Sequence, residues 1–279
     1  MPGSALAQVA LDTRGQVKLN STIAFPTHRG LFADIGSKPL HDFSLTTRLV
    51  NRLDMTPDTC LDVDLQTSAA FGDSLHRGQK LQNAEPVLFP EGLAAPMRDE
   101  ARFMDLTAVR TSGDTVETYR LDRLAVTHLT RWGSITLGRQ ALTLGNGMAF
   151  NVMDLFNPFS PTDLDKDYKT GNDMAVLRAG LSPNADVQLI YVPRRNAATH
   201  QHDWDQDSWA AHLHLLGDMA EFDFMLAKHY RDTVTGVGIR SDMLGTAWRI
   251  DGTLTFLNAR PGRDKVIHPA LVANLDRSW

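Results

Sequence analysis

Arg139 stands before a stretch reading Asn-Pro-Phe-Ser-Pro at residues 157–161, and the charged run Asp163, Asp165, Lys166, Asp167 and Lys169 stands after it. A strand end and a loop so charged can set opposite signs across an opening, and a ring of that kind sorts what passes by charge and size. A long loop is equally polar as a plain solvated surface, so both readings stand. A second set is spread along the chain: Asp62, Asp64, Arg178, Gln188, His212, His214, Asp223 and Arg249 all fall on the polar parity of alternating segments. Around a closed interior they would form a ladder of charge, whereas on an open antiparallel sheet they are the wet face.

Metal and catalytic chemistry find less support. His212 and His214 point to one side of an extended segment, and His200 and His202 come just before, but no third ligand stands at a defining spacing. Ser182 and Ser208 have no Gly-x-Ser-x-Gly context, Cys60 has no local nucleophile motif, and neither His-Glu-x-x-His nor a phosphate-binding glycine loop occurs. Asp163 and Asp165 are paired carboxylates of the kind a glycosidase uses, though sequence does not set their separation. No catalytic residue, metal or cofactor is expected.

Strands must position these groups. In residues 59–71, Leu61, Val63, Leu65, Ala69 and Phe71 share one parity and Asp62, Asp64, Gln66 and Ser68 the other, the period of a two-faced strand. The same alternation predicts strands over 15–25, 43–50, 118–130, 134–143, 174–181, 187–192, 209–216, 220–230, 234–240 and 244–257, with 102–110 and the C-terminal residues 269–279 as further candidates. Turns are expected at 131–133, 182–186, 217–219 and 241–243, and a phase break at Asp122-Arg123 predicts a bulge. Between them run long polar connections, of which 72–100 reads as a loop. Trp132, Trp204, Trp209 and Tyr230 fall near strand ends, as interfacial girdles do and as ordinary surface aromatics also can.

Composition narrows the classes. The chain has 279 residues, 33 acidic against 28 basic, for a formal charge of −5 and no basic block, so nothing favours a nucleic-acid partner and none is expected. Apolar content of 42% with mean hydropathy −0.24 suits a soluble protein and equally a barrel with a polar interior. No run approaches the roughly 18 consecutive apolar residues of a spanning helix. The lone Cys60 forms no internal disulfide. Residues 1–14 read as a residual signal or N-terminal segment, since Ser4 to Gln8 look like a small-residue cleavage region, and 15–279 as one domain.

Residues 138–173, GRQALTLGNGMAFNVMDLFNPFSPTDLDKDYKTGND, resemble the signature stretch of a porin-like group of Gram-negative outer-membrane β-barrels. Tyr119-Arg120-Leu121-Asp122-Arg123-Leu124 is similar to the strand leading into it, so the likeness covers about residues 102–193. It implies an all-β, antiparallel transmembrane barrel of about 12 strands, whole or incomplete in this chain, where bacterial barrels usually count an even number. By the same resemblance it sits in the outer membrane, touches membrane lipid, and passes small polar or amphipathic solutes through a lumen narrowed by residues 145–172, without fixing an oligomeric state or a particular solute. The chain departs from the pattern in an incomplete signal and a weak last strand, where Arg277 shares the face of the terminal Trp279. Two alternatives remain: a secreted carbohydrate-binding or carbohydrate-cleaving β-sandwich, and a barrel acting as adhesin or plug. Parity separates the first: Leu61, Val63, Leu65, Leu213, Leu215, Phe222 and Phe224 face lipid in a barrel and meet in a core in a sandwich.

Overall fold

Strict alternation produces one antiparallel sheet. The computed structural model describes residues 9–25, 38–84, 99, 101–148, 150–158, 168–243, 245–258 and 266–277. Its strands are β1 (Ala10–Ala24), β2 (Leu40–Thr56), β3 (Thr59–Gly72), β4 (Thr107–Ser112), β5 (Thr115–Thr130), β6 (Gly133–Gln140), β7 (Asn172–Ser182), β8 (Ala185–Val192), β9 (Ser208–Leu216), β10 (Glu221–His229), β11 (Asp232–Met243), β12 (Thr246–Phe256) and β13 (Ile267–Asp276). They pair in chain order from β1 to β13, except that β4 lies off this path as a second partner of β5. Among the described residues β1 and β13 do not pair with each other, so the sheet stays open there.

The two ends of the strands differ. Short turns join β2 to β3, β5 to β6, β7 to β8, β9 to β10 and β11 to β12 at one end, while the connections at 73–106, 141–171 and 193–207 leave from the other. Trp132 is exposed at the short end, and Trp204 and Tyr230 at the long end. The expected bulge is present: Asp64 pairs with Arg123 and Leu65 with Leu121, which leaves Asp122 as the extra residue. Several details differ from the sequence reading: β6 ends at Gln140 where a strand to Thr143 was expected, and β4 covers Thr107–Ser112 in place of 102–110. The stretch after β3 opens with a helix, α1 (Asp73–Ala84), and β11 continues through Met243 instead of turning at Ser241.

The faces separate as parity predicts. Leu65, Phe222 and Phe224 are exposed, as are Leu45, Val126, Leu137, Val237 and Leu254 of the same face, and Leu61, Val63, Leu213 and Leu215 are half-buried beside them. The opposite face carries Arg48, Asp64, Thr136, His212, Asp223 and Asp251, all buried. Among the described residues no second sheet covers the apolar side chains, which removes the packing a sandwich requires. The buried apolar cluster lies on the polar face instead, beneath the 141–171 connection.

Candidate functional site

The 141–171 connection leaves the wall just after Gly138-Arg139. Gly138 has φ 119°, and a Cβ there would stand 2.1 Å from the Leu124 carbonyl oxygen, so the close approach of β6 to β5 requires glycine. The following side chain, Arg139, is fully buried. Its Nε donates to Asp173 Oδ1 at 2.8 Å, Nη2 to Asp173 Oδ2 at 3.1 Å and to the Met104 carbonyl at 2.6 Å, and Nη1 to Asp99 Oδ2 at 2.6 Å. Asp99 also pairs with Arg102 and accepts from Leu106 N–H and the Thr107 hydroxyl. Burial pushes the Asp99 carboxyl up, but hydrogen bonds from Arg139 and the charge of Arg102 outweigh it and hold the group at about 2.

Residues 101–106 thereby cross the wall above β6 and β7. They are tied to β5 by Leu121 N–H donating to the Leu106 carbonyl, and to the far side by a bridge between Arg102 and Arg194. Arg139 is the staple that holds this crossing segment over the gap left by the departing loop.

The loop then lies down on the sheet. Leu142, Leu144, Met153 and Phe156 pack onto Met174, Val176, Ile190, Val192, Ala210, Met225, Ala227 and Val234 of β7 to β11, each buried apolar side chain contributing about 1.5–3 kcal/mol. At its base Lys169 pairs with Asp154 and donates to Thr143 Oγ1 at 2.7 Å, and Asn157 donates to the Thr170 carbonyl at 2.7 Å. At its tip Asp251 Oδ2 accepts from the N–H groups of Asn146 and Gly147 at 2.6 and 2.8 Å, while the Asn146 amide donates to Asp223 Oδ2 at 2.7 Å.

Glycine on β11 makes room for that tip. A Cβ at Gly238 would stand 2.6 Å from Asp251 Oδ1 and 3.2 Å from Asn146 Nδ2. Gly238→Val should therefore unseat the tip, exposing buried donors at a cost of about 1–3 kcal/mol. The readout is faster amide hydrogen exchange across residues 142–156 with the strands still protected; unchanged loop protection would contradict the docking.

Beyond the apolar packing of the loop, β2, β3 and β5 present a charged band that meets its returning end. Arg48 Nη2 donates to Asp64 at 2.9 Å and to the bulge carboxylate Asp122 at 2.8 Å, and its guanidinium lies 4.2 Å from the centre of the Tyr168 ring. Arg123 joins Asp122 to the Lys169 carbonyl, and Gly171 N–H donates to Asp122 Oδ1 at 3.0 Å. This network fixes the returning end of the loop against the wall.

No protein-family model matches the chain, and no curated protein does. Among solved structures it is similar to OccAB4 of Acinetobacter baumannii, with a TM-score of 0.52 and 10% identity over 99% of this chain and 66% of that one. OccAB3 of the same organism aligns at 12% identity and TM-score 0.46 over 96% of this chain and 63% of that one, and a mutant of the Rh. blastica porin at 10% and 0.41 over 97% and 86%. The chain thus spans 66% of the length of OccAB4. The likeness to OccAB4 speaks for the fold alone, and it agrees with the single sheet, its two unlike ends and its exposed apolar face. The fold is that of a porin-like β-barrel.

Within the porin-like wall the residues singled out by sequence fall in separate places. Arg139 and Lys169 are at the loop base, engaged by Asp99, Asp173 and Asp154. Asp62 and Asp64 lie on β3, the first 3.9 Å from Arg52 and the second on Arg48. His212 and His214 meet at Asp223 beneath the loop tip, and Arg178 lies opposite Gln188 in the β7–β8 register. Asp163, Asp165, Lys166 and Asp167 lie outside the described residues, as does Trp279. Sequence reading missed Arg48, Asp99, Asp122 as a ligand of two arginines, Asn146 and Asp251. Of these, Asp122, at the phase break, and the Asn146-Gly147 dipeptide, a turn signal, carried a local mark. Among the described residues no cluster of three or more His, Cys, Asp or Glu could hold a metal ion.

Proposed function

We propose that the chain forms wall and constriction of an outer-membrane porin-like channel for passive passage of small polar or amphipathic solutes. The observation that carries the reading is how the loop divides the polar face. It covers the apolar half, β7 to β11, and leaves the polar side chains of β2, β3 and β5 uncovered by that apolar packing. Asp62, Gln66, Ser68 and Thr118 are half-buried along that half, beside the buried Arg48–Asp64–Asp122 network that anchors the returning end of the loop, and they offer polar groups on which a solute exchanges water for side-chain hydrogen bonds. The exposed apolar parity of the other face suits lipid. Nothing in this arrangement calls for chemistry on the solute.

The test is electrical. The chain reconstituted in planar bilayers should produce discrete conductance steps, and a variant lacking residues 146–155 should produce larger ones. Replacing Asp163, Asp165 and Asp167 together by Asn should lower preference for cations. Absence of steps from a chain that inserts and shows a heat-modifiable band on a gel would leave a structural barrel and end the channel reading.

A further inference from the structure

We propose that His212 and His214 make the loop-tip latch proton-sensitive, holding the constriction loop more firmly when the imidazoles are charged. The inference rests on the channel reading for its consequence, though not for its geometry. Asp223 sits between the two rings, its Oδ1 3.0 Å from His212 Nε2 and 3.1 Å from His214 Nδ1, and its other oxygen accepts from Asn146. The same Asn146 amide lies 3.3 Å from Asp251 Oδ1, so two buried carboxylates converge on one neutral donor. His212 is buried, and its Nε2, though close to Asp223, lies off the N–H direction, which leaves both ring nitrogens without a hydrogen bond.

The surroundings do not supply the missing positive charge. Facing the cluster are Arg178 on β7, Asp186 and Gln188 on β8, Glu221 on β10, Arg240 on β11 and Arg249 on β12. Arg178 is near Asp186, Arg240 is 3.9 Å from Glu221, and Arg249 contacts Met148 Sδ at 3.1 Å. Among the described residues no Lys or Arg pairs with Asp223 or Asp251. With neutral imidazoles the carboxylates repel across Asn146. Protonation places cations on Asp223, relieves that repulsion and leaves Asn146 and Gly147 bound to compensated anions. The latch is therefore tighter with charged imidazoles and looser with neutral ones.

Hydrogen exchange of the full chain in detergent micelles, followed by mass spectrometry over residues 142–156 from pH 5 to pH 8 and corrected for intrinsic rates, reads the latch directly. Protection should be about tenfold greater at pH 5, roughly the worth of one charge-assisted hydrogen bond. His212→Gln combined with His214→Asn should abolish that dependence, and His214→Asn alone, at a half-exposed ring, should reduce it should the double variant fail to fold. Protection independent of pH in the parent chain, or a dependence that survives His214→Asn unchanged, overturns the proposal. A chain that shows the dependence yet never conducts overturns the channel reading and upholds the latch.

Discussion

Arg139→Ala should destabilise the wall by about 3–5 kcal/mol, the cost of removing one partner from a buried ion pair. The guanidinium is fully buried and makes four donations, to two carboxylates and one carbonyl, so its loss leaves Asp173 without its cation and Asp99 with Arg102 alone. Arg139→Lys should fall between parent and alanine, because a point charge cannot span both carboxylates as the planar fork does. The measurement is reversible urea unfolding in lipid vesicles. Acid supplies a second signature: Asp99 is held at about 2, so the stability it contributes is present above the unfolded carboxylate value of about 4 and lost as pH falls through 2. Parent and alanine variant should converge over that interval. Equal stabilities at neutral pH would show that the staple holds nothing.

Val63→Arg and Leu213→Arg should each cost about 2–4 kcal/mol if their positions lie near the bilayer midplane, and about 0–1 near its surfaces. Val63 sits on β3 between the inward carboxylates Asp62 and Asp64, and Leu213 on β9 between His212 and His214. Parity alone thus sets a charged neighbour against a lipid-facing one at a single residue's distance. Gln66→Arg, on the polar parity of β3, is the control and should cost far less. Measured by the same unfolding experiment, Val63→Arg no costlier than Gln66→Arg would mean that the apolar face does not meet lipid.

Strands were legible because each face meets a different medium, and the alternation of β3, β9 and β10 records that contrast residue by residue. The Asp122 bulge was legible for the same reason, as a slip in phase. Helix α1 was not, since its sequence DSLHRGQKLQNA carries no apolar stripe for a periodicity to reveal. The β11–β12 turn was misplaced because Ser241 and Asp242 are turn-type residues, although Met243 continues the parity of Val237 and Ile239.

The site divides likewise. Arg139 was conspicuous by its type and place, but Asp99 pairs with it across 40 residues from a stretch rich in Pro, Gly and Gln that has no period. Asp251 and Asn146 are farther apart still, and a pair made only in three dimensions leaves no spacing to read.

Sequence distance also orders assembly. Neighbouring strands pair with chain neighbours, so hairpins can form locally, but Asn146 reaches Asp251 across 105 residues and Met148 reaches Asn274 across 126. Contacts of such separation carry the largest loop-closure cost and close last. Until β12 is in place Asn146 and Gly147 have no Asp251 to accept from them, and the packing of Leu142, Leu144, Met153 and Phe156 on β7 to β11 lacks its latch. Seating of the loop is then a marker of completed assembly.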